Sequence, residues 1–189
     1  MKKINAITFL LIFSVFVGFA QHQNAKKWTI SAGYGIGNIW TKFLKDAFDV
    51  PEYKVTALGP ISIIGEYQIY KKVSVGISFT YSDLNGYFNK NGFVFSDELL
   101  IYTGLIRADY HPIINRKWDI YLGGGLGYVN SQYKSSLGTG SPNVPGKFGY
   151  SAQLGAHYYL TKNLGFYGEL GYVNGSFLQL GVVLKNPNN

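Results

Sequence analysis

The stretch "LGFYGELGYVN", Leu164 to Asn174, decides the fold. Leu164, Phe166, Leu170 and Tyr172 fall on one parity, with Gly168 among them, and Gly165, Tyr167, Glu169, Gly171 and Val173 fall on the other. Successive side chains of a strand point to opposite faces, so this stretch reads as a strand with one apolar face and a carboxylate on the other. It poses two questions: which face meets which solvent, and what meets the charge of Glu169.

Seven further runs carry the same period-two pattern and end in turn chemistry. Trp28, Ile30, Ala32, Tyr34 and Ile36 share a face in "KWTISAGYGIGNIW" (Lys27 to Trp40), as do Ile61, Ile63, Tyr67 and Ile69 in "ISIIGEYQIY". In "VSVGISFTYS", Val73, Val75, Ile77, Phe79 and Tyr81 oppose Ser74, Gly76, Ser78, Thr80 and Ser82. In "LLIYTGLIRADYH", Leu100, Tyr102, Ile106, Ala108 and Tyr110 oppose Thr103, Arg107, Asp109 and His111. The runs "WDIYLGGGLGYV", "KFGYSAQLGAHYYL" and "FLQLGVVLK" complete the set. Connections alternate between short ("KK", "PIINRK", "TKN") and long (Thr41 to Pro60, Asp83 to Glu98, Asn130 to Gly146), with a brief turn at Gly175. Eight strands joined this way predict an all-β, eight-stranded antiparallel up-and-down barrel.

Composition narrows the class. The chain of 189 residues is rich in Tyr, Phe and Gly, as strands and turns require, and has the length of one domain. It has no cysteine, which rules out disulfides, thiolate metal sites and a lipidated cysteine. "MKKINAITFLLIFSVFVGFAQ" has a basic start, an uncharged run and small residues at Gly18 and Ala20, so residues 1–20 read as a signal peptide cut after Ala20. The expected organisation is signal peptide 1–20, short leader 21–26, barrel 27–185 and tail 186–189. The formal charge is +7, falling to +5 without Lys2 and Lys3; the cations are scattered, which argues against a nucleic-acid partner.

Alternation alone fits two barrels. A soluble, lipocalin-like barrel turns its apolar face inward around a ligand, whereas a membrane barrel turns it out to lipid. The polar face here mixes Gly, Ser, Thr, Gln and Tyr with Glu66, Arg107, Asp109, Asp119, His157 and Glu169. A face bathed in water would carry many Lys and Glu, while small residues suit the crowded inside of an eight-stranded barrel. On a lipid face a midplane Arg or Lys costs about 2–4 kcal/mol, which accounts for an apolar face without charge. Trp28, Tyr110, Trp118 and Tyr158 lie near the short turns, and Tyr81, Tyr128, Tyr150 and Tyr172 nearer the long loops. Two aromatic belts fit a bilayer's two interfaces. The expected location is the outer membrane.

From about Lys27 to Lys185, through "GLIRADYHP", "YLGGGLGY" and "LGFYGELGY", the chain resembles the small eight-stranded outer-membrane barrels of the OmpA/OmpX/Ail type. The resemblance implies an integral outer-membrane protein that contacts membrane lipids and lipopolysaccharide and acts through its outer loops. It is expected to be monomeric.

Counted from the short turns, Glu66, Arg107 and Glu169 come to similar heights, which predicts an internal network centred on Arg107. Asp109 and Lys185 are expected nearer the periplasmic end. No catalytic site, metal or cofactor is expected: His22 precedes the barrel, His111 is placed at a turn beside Pro112, and His157 faces the lumen without a serine partner in sequence. The glycines of "GGGLG" are expected to make room inside. In the second long loop, "NGYFNKNGFVF" predicts an extended hairpin whose Tyr87, Phe88, Phe93 and Phe95 are candidate contacts for an outside partner. In the first, Phe43, Leu44, Ala47 and Phe48 have the spacing of a short amphipathic helix. The reading is a non-enzymatic barrel with a structural or surface-contact role. A small-solute channel, a lipid A-modifying enzyme and a soluble binder are its rivals.

Overall fold

The structure, a computed structural model, describes residues 27–48, 53–90, 93–136 and 147–186. The signal peptide, the leader with His22, most of the third long loop and the end of the tail lie outside the described residues, as do the side chains of Ala47, Phe48 and Phe93. The strands are β1 (Trp28–Ile36), β2 (Lys54–Tyr70), β3 (Val73–Lys90), β4 (Phe93–Ile114), β5 (Trp118–Ser135), β6 (Phe148–Tyr159), β7 (Leu164–Val173) and β8 (Ser176–Lys185). Each pairs antiparallel with its sequence neighbour, and β1 closes on β8 from Thr29↔Lys185 to Ile36↔Leu178. Closure leaves no open edge in the band where hydrocarbon could not satisfy one. Asn174 (φ 50°) and Gly175 (φ 90°) make the two-residue turn between β7 and β8, both in the left-handed region that a type I′ hairpin needs.

The face assignment follows the parity. Ile63, Ile77, Phe79, Ile106, Leu126, Leu154, Phe166, Leu170 and Leu180 are exposed on the outer wall. Glu66, Arg107, Asp109, His157 and Glu169 are buried inside. Two rings of aromatics bound the apolar wall. Toward the short turns, Trp28 faces Tyr67, and Trp118 faces Tyr158 with ring centroids 4.7 Å apart. Toward the loops, Tyr81 faces Tyr102, and Tyr150 and Tyr172 stack at 4.7 Å. Tyr102 and Tyr110 mark the two rings on β4. At roughly 3.3 Å per residue and a tilt of about 40°, their separation is near 20 Å, comparable to the apolar band of such barrels.

Above the outer ring the structure departs from the sequence reading. The hairpin expected at "NGYFNKNGFVF" is there, with β3 running to Lys90 and β4 starting at Phe93, but more of the expected loops is strand: β2 starts at Lys54 and β5 continues to Ser135. Trp40, expected at the end of the first strand, lies instead in a helix, α1 (Ile39–Phe48). In this upper region the sheet's polarity inverts. Leu84, Leu99, Ile101 and Val129 point inward and are buried with Trp40, Leu44 and Tyr53, while Asn85, Asn130 and Gln132 face out. Water outside and an apolar centre call for the reverse of the pattern that lipid outside requires.

Helix α1 lies over the barrel mouth as a lid. Asn38 caps it, accepting a hydrogen bond from the Trp40 N–H at 3.0 Å, and the Ile39 N–H donates to the Gly175 carbonyl at 2.9 Å. Trp40 rests against Gly175, where a Cβ would meet the indole nitrogen at 2.5 Å. Beside the lid, the buried carboxylate of Asp97 accepts from the Tyr53 hydroxyl (2.9 Å) and the Tyr133 hydroxyl (2.6 Å), one to each oxygen. This pair of bonds ties the chain entering β2 to β4 and β5.

Burial, then the bond to Asp97, pushes the Tyr133 hydroxyl up to about 12 and raises Tyr53 further. A raised tyrosine pKa means the folded state holds the proton more tightly. The stabilisation is therefore complete below the usual value near 10 and is lost as pH rises through about 12. Tyr133→Phe strands one oxygen of a buried carboxylate and should cost about 1–3 kcal/mol. Proteolysis of the upper region is expected to accelerate between pH 10 and 12 in the native protein. In Tyr133→Phe it should already be fast at pH 8.

Candidate functional site

Two layers of charged side chains lie inside the lumen. In the central one, Arg107 on β4 reaches three carboxylates. Its Nε and a terminal nitrogen each donate to Asp109 at 3.0 Å, the same terminal nitrogen donates to Glu169 at 2.6 Å, and Nε lies 3.3 Å from Glu66. The planar fork suits this, since one guanidinium can satisfy several oxygens without moving. Three carboxylates outnumber one guanidinium, and neutral donors spread the remaining charge. Tyr121 donates to Glu169 at 2.8 Å, Gln153 to Asp109 at 3.0 Å, and Thr29 to Glu66 at 3.3 Å.

The second layer is nearer the short turns. Asp119 accepts from the Nδ1–H of His111 at 2.6 Å and lies 3.5 Å from His157 Nδ1. The Nε2 of His111 is 2.9 Å from the Ser74 hydroxyl. The Tyr121 ring separates the layers, 5.4 Å from His111 and 4.8 Å from His157, with the Arg107 guanidinium carbon 6.0 Å from its centre.

The structure thus brings together Glu66, Arg107, Asp109 and Glu169 and leaves Lys185 apart. Asp109 is in the central layer rather than below it, because residues two apart on a strand share a face and one fork spans them. The Lys185 ammonium lies 4.7 Å over the Tyr159 ring. His111 is not at a turn: it is inside β4 and buried. Sequence reasoning did not single out Tyr121, Gln153 or the His111–Asp119 bond. Parity was the available signal, since Asp119 and Tyr121 fall on the inner face of one strand.

Gly123 of "GGGLG" does make space, since a Cβ there would collide with the Asp109 carboxylate; on the facing strand, one on Gly155 would collide with the Tyr121 ring. The Ser74–His111–Asp119 arrangement resembles a nucleophile, base and orienting acid. Ser74 is only 2% exposed, the adjoining cavity is about 20 Å³, room for one water, and the neighbouring strand amides are engaged in sheet pairing. Neither an acyl group nor its oxyanion has a place there.

Of the loop aromatics, Phe88 and Phe95 stack on each other at 5.1 Å and Phe88 packs near Tyr53 at 6.0 Å, so both serve the upper core. Tyr87 is on the outer face and 41% exposed. Trp28, Tyr110, Trp118 and Tyr158 are on the outer wall near the short turns, as described above.

A family model for the outer membrane protein beta-barrel domain matches residues 7–186, and the chain belongs to that family. No curated protein sequence matches it. Among solved structures, it is similar to OprG from Pseudomonas aeruginosa at 14% identity and a TM-score of 0.51, over 89% of this chain and 99% of that one. It is also similar to Ail of Yersinia pestis, the attachment invasion locus protein, at 12% identity and a TM-score of 0.44, over 86% and 96% of the two chains. A structure of Ail with the heparin analogue sucrose octasulfate matches at 13% identity and the same TM-score over the same shares.

Replacing Arg107 with Met leaves buried carboxylates facing one another without their cation. The expected loss is about 3–5 kcal/mol, read as a fall in the urea midpoint of the barrel in micelles. An unchanged midpoint would mean that water, rather than Arg107, neutralises the layer.

Proposed function

We propose that this member of the outer-membrane barrel family is a non-enzymatic protein that works through the structure it raises above the membrane. Its lumen would be closed to solutes. The observation that supports the reading is side chains packed across the lumen at three heights: the histidine layer, the Arg107 layer and the cluster of Trp40 and Leu44. Export through a signal peptide cut after Ala20 brings the chain to the outer membrane in this reading. There its wall meets lipids and lipopolysaccharide as a monomer.

The raised structure is a four-stranded sheet. Among the described residues, Lys54–Leu58 of β2 pairs with β3 alone, because β1 pairs with β2 only from Tyr34↔Ile61 downward. Likewise Asn130–Ser135 of β5 pairs with β4 alone, since β6 begins opposite Tyr128. Strand addition by an outside protein fits these two edges better than the hairpin aromatics, whose rings are partly spent on internal packing.

A small-solute channel is the reading this displaces. In planar bilayers at neutral pH the purified barrel is expected to give no conductance steps. Reproducible steps whose size changes in Arg107→Met would establish a pore and overturn the sealed-lumen reading.

A further inference from the structure

Charge is distributed very unevenly between the two ends of the barrel. The end with the short turns carries Lys27, Lys71, Lys72, Arg116, Lys117, Lys162 and Lys185. Among the described residues no exposed carboxylate lies at that end, since Asp119, the nearest, is inside and bound to His111. None of these seven cations has an ion pair among the described residues. Lys72 donates to the Pro112 carbonyl at 3.2 Å, and Lys185 rests on Tyr159. The upper end is mixed, with Asp46, Asp83 and Glu98 among its lysines and a Lys134–Glu98 pair at 3.5 Å.

The depth of these cations says what they meet. Lys27 precedes Trp28, Lys71 follows Tyr70, and Lys117 precedes Trp118, and all three rings are exposed on the outer wall. Aromatics of this kind sit at headgroup level, so the adjoining cations reach the plane of the phosphates. Lys27, Lys71 and Lys72 also border an open cavity of about 530 Å³, whose lining includes Gln68 and Tyr70 as well as Pro112, Ile113 and Ile114. Cations beside the side chains of Pro112, Ile113 and Ile114 match a molecule with an anionic head and an aliphatic body.

We infer that the short-turn rim is a binding surface for anionic phospholipids of the periplasmic leaflet, with the cavity at Lys27, Lys71 and Lys72 as its most built site. A soluble anion would gain nothing from Pro112, Ile113 and Ile114, and a cell-wall polymer would not need cations set against lipid-facing rings. The rim would hold the barrel's lower end in register with the headgroups, opposite the raised sheet.

Trp28 and Trp118 are built-in reporters beside the rim, while Trp40 is buried under the lid. The full barrel is placed in vesicles containing dibrominated phosphatidylglycerol or dibrominated phosphatidylcholine, and tryptophan quenching gives the relative occupancy of the two lipids. The native protein should prefer phosphatidylglycerol by about fivefold, the factor that one lysine near an anionic surface supplies, and lose the preference in high salt. Replacing Lys71, Lys72, Arg116 and Lys117 by Gln should bring the ratio near one. A gel shift on boiling confirms that the variant is folded. Equal quenching by both lipids in the native protein would overturn the inference, as would a preference that survives the substitutions. Cosedimentation with insoluble cell wall without any lipid preference would overturn it in favour of a polymer partner.

Discussion

Hydrocarbon gives a charge nothing to bind, and this constraint orders the whole barrel. Each ionised group on a spanning strand must turn inward, and once there, buried from solvent, it must find a partner. Arg107 resolves this for Glu66, Asp109 and Glu169 together. A single guanidinium suffices because its donors are fixed in a plane and neighbouring hydroxyl and amide donors share the load.

Several features that look unrelated follow from filling the lumen. Tyr121 fits between the two polar layers only because Gly155 opposite it has no side chain, and Asp109 fits because Gly123 is bare. The wall can be apolar throughout its lipid-facing band because the strands carry their polarity on the other parity. Where the lipid ends, the requirement reverses. The inward residues become Leu84, Leu99, Ile101 and Val129, and Trp40 and Leu44 of α1 pack against them.

That reversal explains what could and could not be read from the chain. The parity of all eight strands was legible, since lipid enforces a contrast between faces that persists residue after residue. The heights of Glu66, Arg107 and Glu169 were legible too, because strand rise converts turn distances into depth. Of the upper halves of β2 to β5, only the hairpin at "NGYFNKNGFVF" was. In "SDELLIYTGLI" the apolar residues switch face within one strand, so Leu99 and Ile101 point in while Leu100 and Tyr102 point out. A scan for one alternation sees only a loss of phase there. The His111–Asp119 bond was also hidden, since it joins two strands eight residues apart through a register irregularity between Tyr110 and Ile113.

The apolar parity faces lipid and the charged parity faces the lumen. The chain has no cysteine, so single cysteines carrying a nitroxide label can be placed one at a time from Gly165 to Leu170. Accessibility to oxygen, which dissolves in lipid, is compared with accessibility to a water-soluble nickel complex. Labels at Phe166, Gly168 and Leu170 should be open to oxygen and shielded from nickel, and a label at Tyr167 should be shielded from both. A label at Tyr167 open to nickel, with Phe166 and Leu170 shielded from oxygen, would show the sheet facing the other way.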